Sequence, residues 1–346
     1  MKSIQLADRK VIVLEDVEKA LQSGATELVV REGAIFTPSA RDLVAQKAIA
    51  VRSGASSAAS PAGDADALAL YHSPEAEKIK AEIIAVGRKL WQRSYVDGNG
   101  GNISYRLGPN AVLCTPTMVS KADLTPDDLC LVDLEGNQLA GGRPRTSEIL
   151  MHLEIYKSNP EAKSVVHCHP PHATAYAITG RVPPTCIIPE YEVLVGRIAV
   201  SPYETPGTPK FAQTVLPFVK QHNTVLLSNH GIVCWADTVT HAEWYVEVTD
   251  TYCWTLLIAS QLGAPITQIP EEKAGDLLAI KKKLGLPDAR FQMSACALCD
   301  RADGPDAIAL KPCCTSGAPT APAAADDRET LIRLVTEAVM AKLGKS

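Results

Sequence analysis

Two histidines two residues apart, His167 and His169, follow the apolar pair Val165–Val166 in SVVHCHPPHATAYA. The pair suggests a buried β-strand, and residues two apart on a strand point to one face. Two imidazoles converging on one side supply two of the three protein ligands that a catalytic zinc site takes, with a fourth position left open. TVLLSNHGIVCWA offers the third: His230 ends another apolar run, and Gly231 behind it permits close approach. The bland alternative, histidines satisfied by backbone carbonyls, is weakened by the match of two strand ends and by a carboxylate placed nearby.

That carboxylate is Glu148 in RPRTSEILMHLEIYKSNP. Thr146 or Ser147 suits a helix N-cap, which puts Glu148 in the first turn. Plain capping is the structural alternative, since acidic residues are common there. The helix ends just before the strand of His167 and His169, so a short connection brings its start back beside the metal. Glu148 then reads as a general base, or as a fourth ligand that swings away when substrate binds. Thr146 and Ser147 at a helix N-terminus suit a phosphate. The turn GNGGNISYR and the run LCTPTMVSK add backbone N–H groups and the donors Asn102, Ser104, Thr117 and Lys121. By themselves, Gly/Asn turns mostly just connect strands.

The elements that must hold these residues follow from periodicity and punctuation. PEAEKIKAEIIAVGRKLWQRSY places Ile79, Ile83, Val86 and Leu90 on one helical face, and HAEWYVEVTDTYCWTLLIASQLG reads as a long, heavily buried helix. Short strands and helices alternate between them. The expected organisation is a small N-terminal module over 1–52, a linker over 53–67, a catalytic domain over 68–290, a cysteine-containing segment over 291–314, a linker over 315–325 and an amphipathic helix over 326–346. The module has strand-like runs (KVIVL, ELVV) and a helix around Glu15–Gln22, and it is too small for a generous core of its own. Hydrophobic residues make up 46% of the 346-residue chain and the formal net charge is -5. No basic field exists for nucleic acid or anionic membrane. Charges come too early for a signal peptide, and no apolar run spans a bilayer. A cytoplasmic, reducing compartment suits the ten cysteines.

In order, the motifs GGNISYR, TPTMVSKADLTPDDL, LVDLEGN, RTSEILMHLEIYKSNPEAKSVVHCHPPHATAYA and LLSNHGIV resemble the class II aldolase/adducin family over about Glu75 to Leu262, nearest its L-fuculose-phosphate aldolase branch. The resemblance implies a three-layer α/β/α fold with a central, mostly antiparallel sheet, and a homotetramer with active sites between subunits. It implies one Zn2+ per subunit on His167, His169 and His230, Glu148 as catalytic acid/base, and phosphate contacts from Asn102, Thr117, Thr146 and Ser147. The reaction implied is reversible cleavage of a ketose 1-phosphate, of the L-fuculose or L-rhamnulose type, to dihydroxyacetone phosphate and lactaldehyde. Two positions depart from the pattern. Met118 stands where a phosphate-loop glycine is usual. Ile187 stands where the family's aldolases carry a mobile tyrosine that reaches a neighbouring subunit, with Tyr191 close by, so no tyrosine is assigned.

Rival readings share the scaffold. Pentose-phosphate 4-epimerases usually carry Asp at the Glu148 position; methylthioribulose-phosphate dehydratases share the histidines and the glutamate. A non-catalytic, adducin-like binding module would lack the histidine triad. Cys296, Cys299, Cys313 and Cys314 form C-x-x-C followed by an adjacent pair, whose alternatives are a second structural metal site and free thiols. Asp326 and Glu329 have capping-box spacing, and Leu331, Leu334, Val335 and Ala338 share a helical stripe. Behind a Pro/Ala linker, this segment resembles the encapsulation peptides that carry enzymes into bacterial microcompartments by binding shell protein. The phrase GAIFTPSARDLVAQK also resembles a module of microcompartment-associated enzymes.

Overall fold

The computed structural model describes residues 3–6, 11–12, 14–30, 34–53, 65–293, 298–299 and 310–311. The linker and C-terminal helix expected over 315–346, most of the 53–67 linker, and Cys296, Cys313 and Cys314 lie outside the described residues. No described helix is long and apolar enough to cross a membrane.

The N-terminal residues form β1 (Ser3–Leu6), β2 (Val11–Ile12), α1 (Leu14–Gln22), β3 (Glu27–Val30), β4 (Ile35–Phe36), α2 (Pro38–Gln46) and β5 (Ala50–Ser53). β1, β3 and β5 pair in parallel in that order, with α1 and α2 in the connections that parallel pairing needs, and β2 pairs with β4. Ile12, Val17, Leu28, Val30, Ala40 and Ile49 are buried together. Two short helices over these strands close a small core, in keeping with a stretch too short for a generous one.

The larger unit opens with α3 (Ala65–Tyr71) and α4 (Pro74–Gln92), where the Ser73 side chain accepts from Ala76 N and Pro74 occupies the first turn. β6 (Asn102–Gly108), β7 (Ala111–Cys114), β8 (Cys130–Val132) and β9 (Gln138–Ala140) follow, then α5 (Ile149–Ser158), β10 (Ser164–Cys168), α6 (Pro171–Thr179), α7 (Pro189–Leu194), β11 (Ala199–Ser201), α8 (Pro209–Gln213), β12 (Thr224–Leu227), β13 (Gly231–Ala236) and α9 (Val239–Gln261). β14 (Ile266–Thr267), α10 (Glu271–Lys283) and β15 (Leu310–Lys311) complete the described elements.

Eight strands make one sheet, in the order β11-β12-β13-β10-β6-β7-β8-β9. All its pairings are antiparallel except β11–β12. Alternate residues feed two cores, as the pleat requires. Ile103, Leu113, Leu131, Val166 and Ile232 pack under α4 and α9; Val112, Val132, Val165, Val233 and Trp235 pack under α5 and α8. Helices thus cover both faces, and the α/β fold with a mostly antiparallel central sheet is as expected. Ile79, Ile83, Val86 and Leu90 are all buried on α4. The long helix α9 is less buried than its composition suggests: Trp244, Trp254, Leu257 and Ile258 are exposed.

Candidate active site

β10 lies fourth in the sheet, between β13 and β6, and both neighbours contribute to the site. His167 is the last-but-one residue of β10 and is wholly buried; His169 follows the strand, its N–H donating to Tyr95 O at 2.8 Å. His230 sits in the tight turn between β12 and β13, where Asn229 takes φ 55°, a left-handed conformation that asparagine tolerates. A Cβ at Gly231 would collide with the Cys168 carbonyl and stand 2.7 Å from His169 Cδ2, so only glycine lets this turn close on β10.

The three rings converge. His167 Nε2 and His169 Nε2 are 3.2 Å apart, and one nitrogen of each of the three histidines lies within 4.8 Å of the others. His167 Nδ1 donates to Ile232 O at 2.8 Å, which fixes the tautomer and leaves the Nε2 lone pair facing the cluster. Burial pushes the His169 imidazole down to about 4 and the His167 imidazole well below its ordinary value, with the neighbouring rings adding to the effect; burial also lowers His230. The rings are thus held neutral, as metal ligation requires. Three neutral imidazoles, each with a nitrogen turned to one point, are a donor set that fits a divalent metal.

Glu148 completes the cluster: its Oε2 is 3.3 Å from His167 Nε2 and its Oε1 is 3.5 Å from His230 Nε2. Asn102 Nδ2 donates to Glu148 Oε2 at 2.7 Å. Here the sequence expectation is corrected in detail. Glu148 is itself the N-cap of α5 and makes no side-chain capping bond, while Thr146 Oγ1 accepts from Glu148 N at 3.3 Å. The carboxylate is turned towards the histidines, so plain capping does not describe it.

The anion donors expected from the sequence are partly gathered. Thr117 N donates to Pro144 O and Thr146 N to Thr115 O, which ties the 115–118 loop to the start of α5. Ser147 is exposed there and Thr146 is buried. Lys121 is buried and donates to Asn99 O and Val119 O, linking the glycine-rich turn to the same loop; burial brings its ammonium down to about 8 against the opposing pull of Glu148. Ser104 is not an anion donor: it is fully buried and bonded to His152 and Tyr156. Those two residues were missed, and their i+4 spacing from Glu148 and from each other on α5 is the signal that would have found them.

Met118 takes φ 58° with its side chain 78% exposed, which explains why a glycine suits that position. Met118→Gly is expected to hold or slightly raise the melting temperature. Relief of about 1 kcal/mol of left-handed strain offsets the roughly 0.4–1 kcal/mol of entropy that glycine adds to the unfolded chain. Met118→Val, β-branched in a left-handed site, should lower it, by about 2–4 °C for each kcal/mol lost; thermal melts of both variants check this. Tyr191 is buried and stacked on Tyr252 at 3.8 Å, so it is locked in the core. The four-cysteine reading is also corrected: Cys299 is disulfide-bonded to Cys186, so its sulfur is not a thiolate ligand in this structure.

A histidine triad with an adjacent carboxylate, set across an antiparallel sheet, is a donor set suited to a divalent metal with an acid/base beside it. Comparison with known proteins agrees. Residues 81–257 match the class II aldolase and adducin N-terminal domain, and the chain belongs to that family. A 3-oxo-tetronate 4-phosphate decarboxylase of Haemophilus influenzae is 39% identical over 158 residues, 44% of this chain and 75% of that protein. An L-fuculose phosphate aldolase of Methanococcus maripaludis is 37% identical over 169 residues, 49% of this chain and 91% of that protein. A solved L-fuculose 1-phosphate aldolase superposes with a TM-score of 0.54 at 26% identity, covering 60% of this chain and 97% of that one. The chain is accordingly an enzyme of the class II aldolase type.

Proposed function

We propose that this enzyme is a zinc-dependent aldolase that cleaves a ketose 1-phosphate, of the L-fuculose or L-rhamnulose type, to dihydroxyacetone phosphate and lactaldehyde. The observation that carries the reading is the position of Glu148, with its carboxylate against His167 and His230 and its backbone beside Thr146 and Ser147. His167, His169 and His230 would hold the Zn2+, which when bound supplies a Lewis acid for the ketone and for the charge that carbon–carbon cleavage leaves on it. Thr117, Thr146, Ser147 and Asn102 orient the phosphate, while Asn102 also holds Glu148. The hydroxyl on the far side of the scissile bond gives its proton to water as its carbon becomes the aldehyde carbonyl; the carbon–carbon bond breaks, and its electron pair stays with the dihydroxyacetone phosphate fragment. Glu148 delivers a proton to that carbon, and in condensation removes it.

Decarboxylation of a 3-oxo sugar-acid phosphate is the second reading. It reaches the same carbanion, with carbon dioxide leaving in place of an aldehyde. It is favoured by the likeness to 3-oxo-tetronate 4-phosphate decarboxylases and by Ile187 and the core-locked Tyr191, since a carboxylate leaves as carbon dioxide with no hydroxyl proton for a base to remove. A panel of ketose 1-phosphates and 3-oxo-tetronate 4-phosphates, read by coupled dihydroxyacetone-phosphate formation with carbon dioxide release in parallel, decides. Product from the first set alone supports the aldolase; product with carbon dioxide from the second alone overturns it.

The exposed apolar residues of α9, with Trp91 on α4, support assembly as a homotetramer. Residues 326–346 are assigned a targeting role towards microcompartment shell protein, on their apolar stripe and the Pro/Ala/Thr-rich stretch before it. Deleting Ala318–Ser346 should leave metal content, assembled mass and turnover within about twofold of wild type, since the catalytic motifs end well before it. The same segment fused to a fluorescent protein should co-purify with shell protein. Loss of activity on truncation would place the segment in the enzyme itself.

A further inference from the structure

Beneath the Glu148–histidine cluster lies a second polar layer that the proposed reaction leaves unused. Asn102 and Ser104 are two apart on β6 and share a face; Glu148 and His152 are four apart at the start of α5 and share one too. The pairs meet rung against rung. Asn102 Nδ2 donates to Glu148 Oε2 at 2.7 Å, and Ser104 Oγ lies 2.7 Å from both His152 Nδ1 and the Tyr156 hydroxyl. Ser104, His152 and Tyr156 have no exposure to solvent.

Two buried polar atoms in these rungs have no protein partner: Asn102 Oδ1 and His152 Nε2. A buried polar group left unmatched costs about 1–3 kcal/mol, so a pair of them in adjacent rungs calls for a reason. Their chemistry is complementary. The Asn102 amide must turn its NH2 to the Glu148 carboxylate, which only accepts, so Oδ1 is an acceptor without a donor. Burial takes His152 down to about 3, so its ring is neutral and carries one N–H. If the Tyr156 hydroxyl donates to Ser104 and Ser104 donates to His152 Nδ1, that one N–H must sit on Nε2. It is then a donor without an acceptor. Rungs on a strand are roughly 6–7 Å apart, a gap that one water with two bonds of about 2.8 Å closes with the side chains' own reach.

We propose that His152 is a positioning residue for the acid/base: as the Nε2–H tautomer it donates, through one bridging water, to Asn102 Oδ1. A one-way chain then runs from Tyr156 to Ser104, His152, Asn102 and finally the Glu148 carboxylate. Every member donates onward, and the amide that holds Glu148 is kept from rotating. The inference rests on Glu148 moving the proton in the proposed reaction; its geometry does not.

Two measurements test it on the full-length, metal-loaded chain. In the long-range 15N–1H spectrum of histidine-labelled protein, the signal lost in His152→Gln should have the pattern of a neutral Nε2–H ring; an Nδ1–H pattern overturns the proposal. His152→Leu, which keeps volume and removes the donor, should lower kcat about tenfold at unchanged KM and metal content, about one hydrogen bond's worth of orientation. His152→Gln, whose amide both accepts from Ser104 and donates onward, should restore kcat to within about threefold. A leucine variant as fast as wild type, or a folded glutamine variant as slow as leucine, overturns it. Should the leucine variant not fold, the tautomer decides alone. Wild-type turnover by Glu148→Gln would remove the acid/base reading and leave the tautomer result standing, so the two failures are distinguishable.

Discussion

His167→Ala is expected to lose bound metal and with it carbon–carbon cleavage, by about 100-fold or more, since even an outer partner of a metal ligand is worth about 10–100-fold. His167 is central to the site in three ways. Its Nε2 faces both His169 and Glu148, its Nδ1–H is tied to Ile232 O, and its ring is wholly buried. Alanine removes one of three nitrogens and leaves two, too few for a catalytic zinc site. It also removes the hydrogen bond to the Ile232 carbonyl and opens a cavity in the sheet, so some stability is lost as well. Metal analysis of the purified variant beside circular dichroism separates the two effects. His169→Ala, which is partly exposed, should lose metal with a smaller effect on folding. Full activity in exhaustively chelated wild-type protein would sink the mechanism.

Glu148→Gln is expected to keep metal and fold while losing turnover by about 10²–10⁴-fold, the usual contribution of a positioned acid/base. The amide has the carboxylate's shape. Its oxygen can still accept from Asn102 Nδ2, and its NH2 then points towards His230, at no cost in buried area. What it cannot do is take and return a proton. Metal content, melting temperature and kcat measured on one preparation check this. Turnover within a few-fold of wild type would reduce Glu148 to a structural residue, and loss of metal would make it a ligand.

The histidine motif was legible because strand geometry is local: two residues apart means one face, whatever the rest of the chain does. The apolar face of α4 was legible for the same reason, at a helical period. Glu148 was harder. Its residue type and place before a helix are visible in RTSE, but whether its carboxylate caps that helix or faces the histidines depends on β6 and β10, which come from other parts of the chain. Ser104 was misjudged because a serine after a glycine-rich turn resembles an anion donor until the strand register turns it inwards against α5. The Cys299 reading failed on a partner 113 residues away, a distance over which spacing carries no information.

The residue types and their spacing, taken alone, determined the chemistry this protein has at hand: three imidazoles, one carboxylate, hydroxyl and amide donors, and strands and helices in an order that only a layered α/β fold accommodates. Tertiary structure alone decided what those groups do to one another. The antiparallel pairing of β10 with β13 and β6 sets His167 beside Asn102 and brings the turn of His230 over Cys168. The burial that results holds the imidazoles neutral, and the position of α5 turns Glu148 onto them. The physical reason is one of range. Backbone periodicity acts over a few residues and is written in them, whereas desolvation and orientation belong to whatever the fold packs around a group.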